Sequence, residues 1–200
     1  MKKLIFTLLA LATLLPSLAF AKDAEVVRAE QWLRSLKTAQ AKFTQRSSDG
    51  TTLHGDFYIS RPGRLRFQYD KPVTDFIVAD GTFLYFYDGS QNQMSNAPIG
   101  TTLADFLLRK DARLDGDLTV KSVRDRGDTT SITVAQSADS AAGQLTLNFT
   151  KEPYNLKSWT IIDGQGMTTD IILDNLRLGV PVDPALFVFK DPSGRGRLND

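Results

Sequence analysis

The sequence contains no cysteine and a single histidine, His54, among its 200 residues. The lack of cysteine excludes disulfides, thiol nucleophiles, thiolate metal sites and a lipid-modified cysteine. A serine triad would have to use His54, and the chain has no G-x-S-x-G, Walker or G-x-G-x-x-G motif. Its aspartates stand at turns or scattered positions. We therefore expect no enzyme, no catalytic residue, no bound metal and no other cofactor.

An excess of charge of one sign is also lacking. The chain has 24 Lys and Arg against 23 Asp and Glu, a formal net charge of +1. Without a strong field of either sign, binding to nucleic acid or to an anionic membrane surface is not expected. The length suits one domain with a core large enough to need no disulfide or metal.

Only one long hydrophobic run occurs, and it lies at the N terminus. Lys2-Lys3 precedes an apolar stretch at 4–15, and Ala19-Phe20-Ala21 has the form of a signal-peptidase site. The run is too short for a comfortable membrane span and is broken at Pro16. We expect residues 1–21 to be a cleaved secretory signal peptide that directs export of the protein.

The following residues, 22–200, are expected to form one domain with a mobile tail at 191–200. Its centre indicates three strands: Leu65–Tyr69 alternates apolar and polar, Phe76–Ala79 is apolar throughout, and Thr82–Tyr87 is almost entirely apolar or aromatic. Pro, Gly and Asp separate them, as in an antiparallel meander. The third strand is apolar on both faces, so something apolar must cover each side of it.

The same patterns along the chain predict a mainly β (α+β) fold. Helices are predicted at Asp23–Lys37, with the apolar stripe Ala29, Trp32, Leu33 and Leu36, and at Thr102–Lys110. The other candidate strands are Ala41–Ser47, Leu53–Ile59, Gln91–Ser95, Leu118–Arg124, Thr129–Ala135, Gln144–Phe149, Leu156–Ile162, Thr168–Leu178 and Phe187–Lys190. A barrel of about eleven strands is too wide for its own side chains to fill. We therefore expect an apolar concavity covered by helices, with a sheet that need not close.

A concave apolar cavity is the usual form of a small-molecule site. Moving an acyl chain of about sixteen carbons out of water is worth about 12 kcal/mol, so such a chain crosses an aqueous compartment only inside a shield that can open. The residues expected to line the cavity are apolar and central, although ordinary core packing explains each of them as well: Phe43, Phe57, Leu65, Phe67, Phe83, Tyr85, Phe106 and Leu107.

An ordered series of short motifs resembles a known family. The series is Phe43-Thr44-Gln45, then Arg61-Pro62-Gly63-Arg64-Leu65-Arg66-Phe67, a proline, Val78-Ala79-Asp80-Gly81 and an aromatic strand that ends at Tyr87-Asp88. It resembles the LolA family, the periplasmic carriers of outer-membrane lipoproteins. The resemblance implies an unclosed antiparallel β-barrel of about 11 strands with an α-helical lid over an apolar cavity.

The resemblance also implies partners. The cargo would be an acylated lipoprotein, received from an inner-membrane ABC-type lipoprotein-releasing complex (LolCDE-like) and passed to an outer-membrane acceptor (LolB-like). In the resembled family the arginine of the Arg-Pro pair hydrogen-bonds the lid and holds it shut until cargo binds, and that residue maps onto Arg61. The residues alone allow a solvated arginine before a turn proline. We expect a monomer.

Two other functions stay open. The same cavity would serve a carrier or sensor of another lipid, such as a glycolipid, because a fold does not fix its cargo. A small secreted hydrolase that uses His54 is the third hypothesis. Cargo bound to the protein and loss of turnover on His54→Ala would separate these functions.

Overall fold

The computed structural model describes residues 23–101, 106–139, 141 and 143–192. These residues form one α-helix and eleven strands. The bounds are α1 (Ala24–Ser35), β1 (Thr38–Ser47), β2 (Thr52–Ser60), β3 (Arg64–Tyr69), β4 (Phe76–Asp80), β5 (Phe83–Asp88), β6 (Gln93–Pro98), β7 (Leu118–Asp125), β8 (Thr129–Gln136), β9 (Gly143–Lys151), β10 (Tyr154–Asp163) and β11 (Thr168–Leu178). Among the described residues, no helix combines the length and the apolar character needed to cross a bilayer.

All eleven strands belong to one antiparallel sheet in the order β6-β5-β4-β3-β2-β1-β11-β10-β9-β8-β7. Phe67 of β3 and Trp159 of β10 are separated by four strand spacings, roughly 19 Å on a flat sheet. Their ring centroids are nevertheless only 6.2 Å apart. The sheet therefore curls until side chains on opposite walls of its concave face are in contact. Its two edge strands, β6 and β7, do not pair with each other. The predicted unclosed antiparallel β-barrel is confirmed.

The two open edges are joined by one piece of chain, residues 99–117, which we call the crossing segment. Its described part contains Phe106, Leu107 and Leu108, all buried in the core, with 3₁₀ geometry at 106–107. The predicted helix at Thr102–Lys110 lies partly outside the described residues. Beyond the segment, the pairing of β7 with β8 shifts register between Val120 and Ser122, so β7 carries a bulge at the open edge.

Helix α1 lies on the concave face. The Asp23 carboxylate caps the helix by accepting from the Glu25 amide at 2.8 Å. The buried side includes Val26, Ala29 and Leu33. Ala29 and Leu33 belong to the predicted stripe, whereas Trp32 is half-buried and Leu36 is buried just after the helix. The helix ends earlier than predicted because Leu36 already has extended backbone and β1 begins at Thr38.

The C-terminal segment, residues 179–192, covers the outer face of β4 and β5. Phe189 stacks on Tyr85 with ring centroids 4.4 Å apart and also contacts Phe76. This second layer explains how β5 is apolar on both faces, as the sequence required. The predicted strand at Phe187–Lys190 is wrong: Phe187 ends a 3₁₀ turn over Pro184–Phe187, and the following residues lie on the sheet face instead of pairing with its edge.

Phe189→Ala is expected to lower the free energy of unfolding by about 3 kcal/mol, the lower end of the range for buried phenylalanine. The Phe189 ring is 4% exposed and packs on the Tyr85 ring in the outer layer. Urea unfolding measures the change. Val188→Ala is the control, because Val188 is 44% exposed and should change stability by less than about 0.5 kcal/mol. Equal losses from the two variants would show that the segment is not packed as described.

Candidate apolar ligand site

The curled sheet encloses a cavity of about 140 Å³ between β3–β5 and β10–β11. Ten of the twelve lining residues are apolar, and the lining is Gln45, Leu65, Phe67, Ile77, Leu84, Phe106, Leu107, Leu108, Trp159, Ile161, Thr169 and Ile171. The volume is close to that of an engineered cavity of about 150 Å³ that holds one benzene. A long acyl chain therefore fits only if the walls move or if the cover over the cavity moves. We use the term cover for α1 together with the crossing segment.

Four residues expected at the cavity do line it: Leu65, Phe67, Phe106 and Leu107. Two others, Phe43 and Phe57, lie behind Phe67, each with its ring centroid 5.0 Å from the Phe67 ring. They form the wall that supports the lining.

The remaining two, Phe83 and Tyr85, lie on the other side of the sheet. The register pairs Ala79 with Leu84, so Leu84 faces the cavity and its neighbours in β5 face outward. Both aromatic residues belong to the outer cluster around Phe189. Their expected placement is corrected on this point, because an aromatic residue at nearly every position of β5 hid which face was concave.

Sequence reasoning missed the far wall of the cavity. Trp159 of β10 makes edge contacts with Phe57, Phe67 and Phe106 at centroid distances of 6.1, 6.2 and 5.7 Å. It is the ring that joins both walls and the crossing segment. The alternation of Trp159 and Ile161 indicated a buried face, but only the curl of the sheet brings that face to β3.

Arg61 links the cover to the sheet. The half-buried guanidinium donates from Nη1 to the carbonyl oxygen of Leu33, in the last turn of α1, and from Nη2 to that of Arg109 in the crossing segment. Burial lowers the pKa of Arg61. Its Nε is buried without a hydrogen-bond partner among the described residues. One side chain therefore joins the helix and the crossing segment to the β2–β3 turn.

The backbone of the same turn supports this contact. The Gly63 amide donates to the Leu108 carbonyl at 2.9 Å, and the Arg61 amide donates to the Lys37 carbonyl at 2.7 Å. Gly63 has φ +77°, and a Cβ there would lie 3.0 Å from the Cα of Gly81. The position favours glycine for both reasons.

A buried carboxylate holds the far end of the crossing segment. Glu30 is 5% exposed, and its Oε1 accepts from the Leu114 amide at 2.6 Å. Arg109 and Asp117 form a bidentate pair at 2.9 and 3.0 Å. Sequence reasoning missed Glu30, although its place between Val26 and Leu33 on the apolar stripe was a signal that the charge needs a buried partner.

His54 is far from this chemistry. It is exposed, and its Nδ1 lies 3.1 Å from the hydroxyl of Thr44 on the outer face.

A curled antiparallel sheet that leaves an apolar cavity beneath a hydrogen-bonded cover defines a class of proteins with an internal site for an apolar ligand. The sequence identifies the family within that class. Residues 34–190 match the family described as outer membrane lipoprotein carrier protein LolA, and the chain belongs to that family.

Two relatives found by sequence agree with the family match. A protein named outer-membrane lipoprotein carrier protein from Methylococcus capsulatus is 30% identical over 186 residues, covering 88% of this chain and 89% of the relative. One of the same name from Chromohalobacter salexigens is 28% identical over 189 residues, covering 90% and 89%. Among solved structures, a LolA superfamily protein from Nitrosomonas europaea has a TM-score of 0.46 at 9% identity, covering 82% of this chain and 97% of that one.

Glu30→Ala is expected to destabilise the protein by about 1–3 kcal/mol, because the buried Leu114 amide loses its acceptor. Hydrogen exchange at that amide should accelerate, whereas Glu30→Gln keeps an acceptor oxygen and should protect it. Arg34→Ala is the control: the Arg34 side chain is 43% exposed and lies 3.6 Å from Oε2 of Glu30, whereas the Leu114 amide donates to Oε1, so this variant should leave exchange at the amide unchanged. Unchanged exchange in Glu30→Ala would contradict the anchoring role.

Proposed function

We propose that this protein is a periplasmic carrier that shields the acyl chains of lipoproteins released from the inner membrane and delivers them to an outer-membrane acceptor. The observation that supports it best is the apolar cavity under a cover attached by few hydrogen bonds. Membership of the LolA family, whose relatives are named outer-membrane lipoprotein carriers, points to the same function.

The energetics favour a cavity that opens. An acyl chain of about sixteen carbons gains about 12 kcal/mol on leaving water. Each hydrogen bond from a charged donor contributes about 1.5–3 kcal/mol net. The two bonds of Arg61 therefore bias the cover toward the closed position by about 3–6 kcal/mol, which entry of one chain can overcome.

Arg61 is thus proposed to gate the lid formed by α1 and the crossing segment. In the cargo-free state its donors hold both parts at the β2–β3 turn. When a chain enters, the lid moves and these bonds break, so the bound state stores the energy of their re-formation. That energy favours release to an acceptor.

The proposed partners follow from the same scheme. An ABC-type lipoprotein-releasing complex in the inner membrane would supply the cargo, and an outer-membrane receptor would accept it. Energy from nucleotide hydrolysis then enters at the supplying complex, and this chain performs no chemical step.

Bound material tests the proposal directly. The protein purified from the periplasm is expected to release triacylated lipoprotein on extraction, detected by mass spectrometry. Glycolipid or free lipid alone would favour the carrier or sensor of another lipid. A hydrolytic turnover abolished by His54→Ala would replace the proposal with an enzyme.

Arg61→Leu is expected to retain cargo at least tenfold more tightly and to fail in hand-over, because the closed empty state loses its two charged hydrogen bonds. Transfer of labelled lipoprotein to acceptor-containing membranes measures the effect. Arg64→Leu removes an exposed arginine three residues away and should transfer normally. Unchanged release from Arg61→Leu would remove this residue from the mechanism.

A further inference from the structure

The cavity has a polar end. Among its lining residues, Gln45 and Thr169 have polar side chains, and Trp159 adds one indole N–H donor. Both are half-buried, as are Ile161 beside them and Ile77 and Leu84 on β4 and β5, whereas Leu65 and the lining residues of the crossing segment are buried. The cavity is therefore apolar beneath the crossing segment, and its polar side chains lie at the end formed by Gln45 and Thr169.

Gln45 is held in a fixed orientation. The hydroxyl of Tyr69 donates to its Oε1 at 2.7 Å. Tyr69 is 6% exposed, and burial raises the pKa of its hydroxyl, which stays protonated and available as a donor. Because Oε1 already accepts from Tyr69, the two hydrogens on Nε2 are the part of the Gln45 amide that is left to bind a ligand. Across the described parts of the chain, no residue accepts a hydrogen bond from them.

The distance from Gln45 to the cover suits an acyl chain. Along the sheet, Ala39 of β1 pairs with Ile59, which pairs with Leu65 beside the β2–β3 turn. Gln45 lies six residues further along β1, roughly 20 Å in an extended strand. One leaflet of a bilayer, half of its hydrocarbon core of about 30 Å, is about 15 Å thick, so this distance accommodates one acyl chain.

We propose that the Nε2 group of Gln45 donates a hydrogen bond to the ester carbonyl of a bound acyl chain, with Tyr69 as the residue that positions it. The hydrocarbon tail then points toward the crossing segment, and the headgroup lies at the end formed by Gln45 and Thr169. A ligand that excludes water but offers no acceptor would leave this donor unpaired, which lowers affinity. The inference rests on the proposed function and assigns orientation and ligand chemistry to the same cavity.

A matched pair of ligands tests it. 1-Palmitoyl-lysophosphatidylcholine and its 1-O-hexadecyl ether analogue share chain length and headgroup and differ in the ester carbonyl. Displacement of an environment-sensitive apolar dye, below the micellar concentration, gives both affinities. The unaltered protein is expected to prefer the ester about five- to tenfold, as for one neutral hydrogen bond.

Gln45→Met removes the donor at nearly constant size and is expected to reduce the preference to within twofold, with binding of the ether retained. Tyr69→Phe should lower it to about two- to threefold, because the amide loses its positioning partner. Gln40→Leu is the control: Gln40 alternates with the buried Ala39 and Ala41 and should keep the full preference.

The results separate the proposed role of Gln45 from the proposed carrier function. Equal affinity for ester and ether in the unaltered protein, or full preference in Gln45→Met, overturns the role of Gln45 and leaves the carrier function standing. Displacement by neither ligand counts against the acyl cavity itself. If Gln45→Met does not fold, the double variant with Tyr69→Phe removes both partners together, which costs little stability.

Discussion

The Arg61 guanidinium is the junction at which helix α1, the crossing segment and the β2–β3 turn meet. Two carbonyl groups from different elements, those of Leu33 and Arg109, accept from the same side chain. Both elements sit over the concave face, and neither is a strand of the sheet. The sheet supplies a wall too wide to be filled by its own residues, so the helix and the crossing segment complete the core. A planar donor with five hydrogens suits this junction, because it can bond two acceptors that approach from different directions.

The two halves of the sheet have different outer surfaces. On β4 and β5 the outer face is aromatic and covered by the C-terminal segment, where Phe189 stacks on Tyr85. On β8 and β9 it is polar: Thr133 and Thr146 hydrogen-bond across the strands at 3.0 Å. Because the aromatic half is packed on both faces, it is the more constrained of the two.

Much of this fold follows from local patterns in the sequence, and the exceptions have physical reasons. Alternation and turn residues located eleven strands because both act over a few residues. The false strand at Phe187–Lys190 shows the limit: alternate burial marks an extended chain, whether it pairs with an edge or lies on a face. The phase of β5 was ambiguous because both faces are apolar. The role of Glu30 depends on Leu114, 84 residues away, which no local pattern reveals.

The open edges of the sheet have a consequence for behaviour at high concentration. An unpaired edge strand is a template on which further copies can add and grow into fibres. At one edge, β6 is short and ends at Pro98. At the other edge, the bulge in β7 leaves Lys121 without a pairing partner in β8. An incoming strand would meet a kink and a positive charge. The barrel can therefore stay unclosed, as a cavity that must admit a ligand requires, without seeding its own polymerisation.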